Sequence, residues 1–112
     1  MRFYRSQRVE SLIAEELGKL ITREIEFPVG SLATIVSVDV DKKMDRAKVR
    51  VSVIPSSADE SALKILNSHV GELQHLLLKK INIKPMPRII FEIDHGHEHA
   101  AIVEKILEDV EE

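Results

Sequence analysis

An α+β fold is predicted, a three-stranded sheet covered by helices on one face, with elements in the order α-β-β-α-β-α. Three features predict it. Two β-branched runs alternate apolar and polar residues around a short charged connection, the stretches flanking them repeat apolar residues every three or four positions, and a third apolar run follows two prolines. Ser6 reads as an N-cap, and Val9, Leu12, Ile13, Leu17, Leu20, Ile21 and Ile25 form a stripe of helical period, which gives a first amphipathic helix of about five turns. Phe27, Pro28 and Gly30 end it. ATIVSVDV and AKVRVSVI follow, joined by DKKMDR. Val36, Val38 and Val40 are expected on one face of the first strand, and Val49, Val51 and Val53 on one face of the second, in an antiparallel hairpin. Pro55, Ser56 and Ser57 close the hairpin. From Ser61 to Ile81 the apolar positions Leu63, Leu66, Val70, Leu73, Leu77 and Ile81 are again helical, and a continuous helix there would reach about 30 Å. Pro85 and Pro87 lead into RIIFEID, a third strand with Phe91 in the core. The strand-helix-strand connection places that strand in the same sheet through a right-handed crossover. Ile102, Val103, Ile106, Leu107 and Val110 give a last amphipathic helix, within a single domain spanning residues 1–112.

With 44% apolar and 31% charged residues in a chain of 112, the composition is that of one globular domain rather than a disordered segment. No apolar run approaches the length of a membrane span, and MRFYRSQRVESL passes from basic residues straight into a polar helix. There are no cysteines, which excludes disulfides, thiolate metal sites and cysteine nucleophiles, and cytoplasmic residence is expected. The net charge of −3 hides an asymmetry: from Glu92 to the end there are eight acidic residues and one lysine. The first 91 residues carry 15 basic side chains against 11 acidic ones, a balance of +4. A mildly basic body is compatible with a nucleic-acid partner even though the total is negative.

The segment IDHGHEHAAIVEKIL sets His95, His97 and His99 beside Asp94 and Glu98. Alternate histidines converge on one ion only in an extended strand. Gly96 breaks the strand, and the stripe that begins at Ala100 demands a helix. On a helix, positions two apart lie about 200° around the axis and do not share an ion. Asp94 and Glu98 suit the positive start of a helix. The segment therefore reads as a polar turn, with no metal and no catalytic pair.

Gly71, within ILNSHVGELQHLL, is more informative, because a glycine inside a helix costs about 1 kcal/mol relative to alanine. It serves either close packing of the helix on the sheet or a change of helix direction, and physical chemistry alone does not choose between them. A kinked helical pair in this element order is that of KH-type RNA-binding domains, which usually clamp phosphates with a G-x-x-G loop. None of Gly18, Gly30, Gly71 and Gly96 lies three from another, and the aromatics are only Phe3, Tyr4, Phe27 and Phe91. Any RNA contact must then rest on backbone charge and shape rather than base stacking.

Taken in order, RSQRV, TREIEFP, TIVSVDV, RAKVRVSV, NSHVGELQHLL and KPMPRIIFEID resemble the ribosome-binding factor A family nearly end to end. The resemblance implies a KH type II-like fold, α-β-β-α(kink)α-β-α, in which an Ala-x-Gly kink replaces the G-x-x-G loop. His69, Val70 and Gly71 align with that kink, with histidine where the family usually has alanine. Gly96 stands where a capping serine is common, ahead of an acidic C-terminal helix at about 97–112. The resemblance further implies a non-catalytic, cytoplasmic factor without cofactor. Such a factor binds the immature 30S small ribosomal subunit and assists maturation of the 5′ region of 16S rRNA, with importance in the cold. Assembly GTPases work nearby; no membrane is involved, and a monomer is expected.

Candidate RNA contacts divide into three groups. Arg5 and Arg8, with Arg2, lie at the amino end, which reads equally as an arm laid with Phe3 and Tyr4 against RNA and as a solvated start. Lys42, Lys43, Arg46, Lys48 and Arg50 decorate the hairpin, and Lys42, Lys43, Lys48 and Arg50 are its candidates. Lys79, Lys80, Lys84 and Arg88 form the densest run and, with the kink, are the favoured contacts, although cations at a helix C-terminus also suit its dipole. Two other classes remain alternatives, a His-rich metal-binding domain and a small-molecule regulatory α+β domain.

Overall fold

A computed structural model of the chain describes residues 2–83 and 85–94, with side chains from residue 7 onward. Within that range helix α1 spans Arg2–Glu24, strand β1 Leu32–Val40 and strand β2 Arg46–Ile54. A 3₁₀ turn at Ser56–Ala58 leads into α2 (Asp59–Ser68), followed by α3 (Val70–Lys80) and β3 (Arg88–Ile93). The helix expected at about 97–112, the histidine cluster and Lys84 lie outside the described residues.

The sheet order is β1-β2-β3, antiparallel between β1 and β2 and parallel between β2 and β3. Helix α1 buries Val9, Ile13, Leu17, Leu20 and Ile21 of the stripe expected for it, whereas Leu12, at the margin of that stripe, is 40% exposed. They join Val38 of β1, Ala47, Val49, Val51 and Val53 of β2, and Ile89 and Phe91 of β3 in one core. Ala62 and Leu66 of α2 and Leu73 and Leu77 of α3 complete it. All three helices therefore pack on one face of the sheet, and the alternate residues of β2 (Arg46, Lys48, Arg50) are exposed on the other.

Three local expectations are corrected. Helix α1 begins at Arg2, so Ser6 lies inside it rather than capping it. Val36 does not share a face with Val38 and Val40. Ile35 pairs with Val51 and Ser37 with Arg50, so Val36 is the extra residue of a β-bulge and is 52% exposed. The bulge shifts the alternation by one: Ala33 and Ile35 oppose Val53 and Val51 before it, and Val38 and Val40 oppose Val49 and Ala47 after it. Finally, the helix expected from Ser61 to Ile81 starts at Asp59 and ends at Lys80, and it is interrupted at His69, the first of the three residues expected at the kink.

The outer strands are tied to the helices by side chains. The Glu10 carboxylate accepts the Val40 N–H at 2.8 Å. The Gln74 carboxamide donates to the Pro87 carbonyl at 2.9 Å and accepts from the Ile89 N–H at 2.8 Å. These bonds set α1 against the last residue of β1 and α3 against the start of β3.

Candidate nucleic-acid interface

Two irregular segments mount the residues singled out by the sequence. The first is the turn from Asp41 to Arg46. The Asp41 main-chain N–H donates to the Arg46 carbonyl (3.1 Å), and the Met44 N–H donates to the Asp41 carbonyl (3.0 Å). The Asp41 carboxylate accepts the N–H groups of Asp45 (2.7 Å) and Arg46 (3.2 Å). Met44 takes a left-handed conformation, φ 61°, and its side chain packs against the core. With both neighbours fixed, Lys42 and Lys43 are held outward and exposed. The Arg88 N–H donates to the Asp45 carbonyl (2.8 Å), which seats the first residue of β3 beside the same turn.

The second is the break between α2 and α3. His69 has φ −105° and ψ 0°, and its N–H bonds the Leu66 carbonyl at 3.1 Å. The Ile65 carbonyl is instead met by two side chains, the Ser68 hydroxyl at 2.7 Å and His69 Nδ1 at 2.8 Å. A carbonyl only accepts, so Nδ1 carries the proton. The imidazole and hydroxyl thus satisfy a carbonyl that the end of a helix would leave orphaned, which is a physical reason for histidine at this position. Gly71 sits exposed in the first turn of α3, and a Cβ added there would meet nothing within 4 Å. Neither close packing on the sheet nor the change of direction requires it.

Ion pairing separates the basic residues. Lys19 pairs with Glu15 and Glu16, Arg23 with Glu24, Lys80 with Glu16 (3.9 Å) and Arg50 with Asp39 (3.7 Å). Among the described side chains, Arg8, Lys42, Lys43, Arg46, Lys48, Lys64, Lys79 and Arg88 have no such partner. Five of them (Lys42, Lys43, Arg46, Lys48 and Arg88) gather at the turn end of the sheet, on the turn and on the face away from the helices. Glu10 brings the α1 turn that carries Arg8 to the same end. Arg88 therefore belongs with the hairpin cations rather than with Lys79 and Lys80. The kink and those two lysines lie at opposite ends of α3, about 15 Å apart. Arg5 lies within α1. Arg46, not among the sequence candidates, stands in register with Arg88, a relation that no local pattern encodes.

Phe27 and Phe91 pack in or against the core, so the cationic end presents no described aromatic for stacking and suits phosphate contacts. The groove between α1 and β1, lined by Ala14, Gly18, Ile21, Thr22, Leu32 and Thr34 among others, has no ionisable side chain. Among the described residues no group of three or more histidines and carboxylates could hold a metal ion, and no helix is long and apolar enough to cross a membrane.

A mixed three-stranded sheet under a broken helical pair, with cations that lack ion-pair partners among the described residues at one end, defines a KH-like α+β domain with a cationic surface. The sequence matches the ribosome-binding factor A family over residues 5–107. The chain belongs to that family. The ribosome-binding factor A of Akkermansia muciniphila is 30% identical over 107 residues, covering 96% of this chain and 85% of the relative. That of Caldanaerobacter subterraneus is 32% identical over 109 residues, covering 96% and 89%. The crystal structure of ribosome-binding factor A from Thermus thermophilus superposes with a TM-score of 0.70 at 20% identity, over 79% of this chain and 94% of that one. A homology model of the Thermus thermophilus factor, fitted into a cryo-EM map of its 30S complex, gives 0.66 at 24% identity, over 76% and 90%.

Proposed function

We propose that this chain is a ribosome assembly factor. It binds the immature 30S subunit through the backbone of 16S rRNA and assists maturation of the 5′ region of that RNA, with its greatest importance in the cold. The observation that carries the reading is the gathering of Lys42, Lys43, Arg46, Lys48 and Arg88, without ion-pair partners among the described residues, at one end of a family member's fold. The names of the relatives and the 30S complex of the Thermus thermophilus protein support the small subunit as the partner. The factor acts as a single-domain cytoplasmic monomer without catalysis or cofactor. It favours one conformation of the RNA by binding that conformation better than its competitors. Assembly GTPases acting on the same particle are the natural agents of its release.

The test is sedimentation of the purified chain with small subunits across a salt series. About five phosphate contacts predict an affinity loss of roughly two to three orders of magnitude between about 50 and 200 mM salt. Failure to sediment with small subunits at low salt would overturn the reading. Deletion of the gene should also raise the fraction of 16S rRNA with an unprocessed 5′ end, more so on cold growth.

A further inference from the structure

We propose that Arg46 and Arg88 form a two-armed grip on a single phosphate of the RNA backbone, with Lys48 set to meet its neighbour. The proposal rests on the small-subunit reading and names the surface that serves it. Arg46 and Arg88 are register partners across the parallel β2–β3 ladder, so their Cα atoms stand about 4.8 Å apart. Ala47 and Ile89, the next residues along each strand, are buried, so both arginines rise from the face away from the helices.

Like charges directly opposite each other destabilise a sheet. Neither arginine has an ion pair among the described residues to offset that repulsion, and the Asp41 carboxylate close by is committed to two main-chain N–H groups. An unneutralised pair at adjacent ladder positions calls for an anion from outside the chain. The main chain beneath the pair is fixed as well: the Arg46 N–H bonds Asp41 and the Arg88 N–H bonds the Asp45 carbonyl. Two guanidinium forks carried on adjacent, anchored ladder positions suit the oxygens of one phosphate, which lysine ammonium groups engage less specifically.

The same ladder shows where the grip ends. Two residues beyond Lys48 along β2, Arg50 is paired with Asp39 at 3.7 Å and stands in register with Glu92. Lys48 lies between, with Ile90 beside it in register on β3 and Asp39, the ion-pair partner of Arg50, opposite it on β1. The outer face thus changes from cationic to neutral along a single strand. No described aromatic lies there, so the grip reads the RNA backbone and not its bases.

The experiment measures binding of wild-type chain, Arg46→Gln, Arg88→Gln, the double variant and the exposed comparator Lys64→Gln to purified small subunits, with thermal unfolding in parallel. Each arginine variant should bind roughly tenfold more weakly at about 0.1 M salt and lose about one unit of salt slope. Its Tm should hold or rise, because repulsion is relieved. The double variant should lose less than the product of the single losses, since both arms hold one group. Arg46→Lys and Arg88→Lys should fall between, keeping charge but not the fork. Lys64→Gln should bind as wild type does. Wild-type affinity in both arginine variants, or lost binding together with a lowered Tm, overturns the grip while leaving the assembly reading in place. A wild-type chain that does not bind the subunit overturns both.

Discussion

The turn at 41–46 and the helix break at 65–71 are alike in construction and unlike in cargo. Each interrupts regular structure at a non-glycine residue, Met44 in the left-handed region and His69 at φ −105°. Each is held by side chains that satisfy main-chain groups. At the turn an anionic acceptor, Asp41, takes two N–H donors; at the break two donors, Ser68 and His69, share the Ile65 carbonyl. The difference lies in what they present. The turn displays Lys42 and Lys43 and borders Arg46 and Arg88, all without ion pairs among the described residues, whereas the break displays a capped carbonyl and an open space above Gly71. Unpaired positive charge therefore concentrates at the turn, and the break sets how α2 and α3 cover the sheet.

Three substitutions would break or sharpen that contrast. The largest effect is expected at Asp41→Ala, which removes the acceptor of two N–H groups and should cost about 2 kcal/mol in urea unfolding, with Asp41→Asn recovering part of it. A cost below about 0.5 kcal/mol would mean that the turn stands without its carboxylate. His69→Ala should cost about 1 kcal/mol, because Ser68 keeps half of the cap. Asparagine, which also carries an N–H donor, should be milder; equal losses from both would refute capping by the imidazole. Smallest is Gly71→Ala, expected to stabilise the chain by about 0.5 kcal/mol, since the residue is helical and a Cβ has room. If that variant gains stability but binds small subunits more weakly, the open space above Gly71 is occupied by RNA, and the contrast between the two segments dissolves.

Much of the fold is legible in the sequence, and the departures have specific causes. The stripe of α1, the hairpin, the paired helices and Phe91 in the core follow from periods of 3.6 and 2 that burial then enforces. Val36 defeats the alternation because Ile35 and Val36 are both apolar, so the strand fits either phase; only the pairing of Ile35 with Val51 decides. Gly71 marks the neighbourhood of the break because glycine is a loud signal, but the break itself falls two residues earlier, at His69. A Ser-His cap bonded to a carbonyl four residues back is a quiet one. At the candidate interface the sequence shows how many cations there are but not which of them are neutralised. Lys80 meets Glu16 across 64 positions, and Arg46 meets Arg88 across 42; no local pattern announces either encounter.

The bonds that Glu10 and Gln74 make also guard the margins of the sheet. A sheet of three strands has two raw borders, and a border with unused main-chain groups invites a foreign strand to add itself. On the outside of β3, Gln74 occupies the Pro87 carbonyl and the Ile89 N–H as another strand would. On the outside of β1, Glu10 takes the Val40 N–H and the bulge at Val36 spoils the spacing of the remaining rungs. A neighbouring molecule trying to prolong the sheet finds its first rungs filled on one side and out of step on the other, an arrangement that works against the addition of a foreign strand.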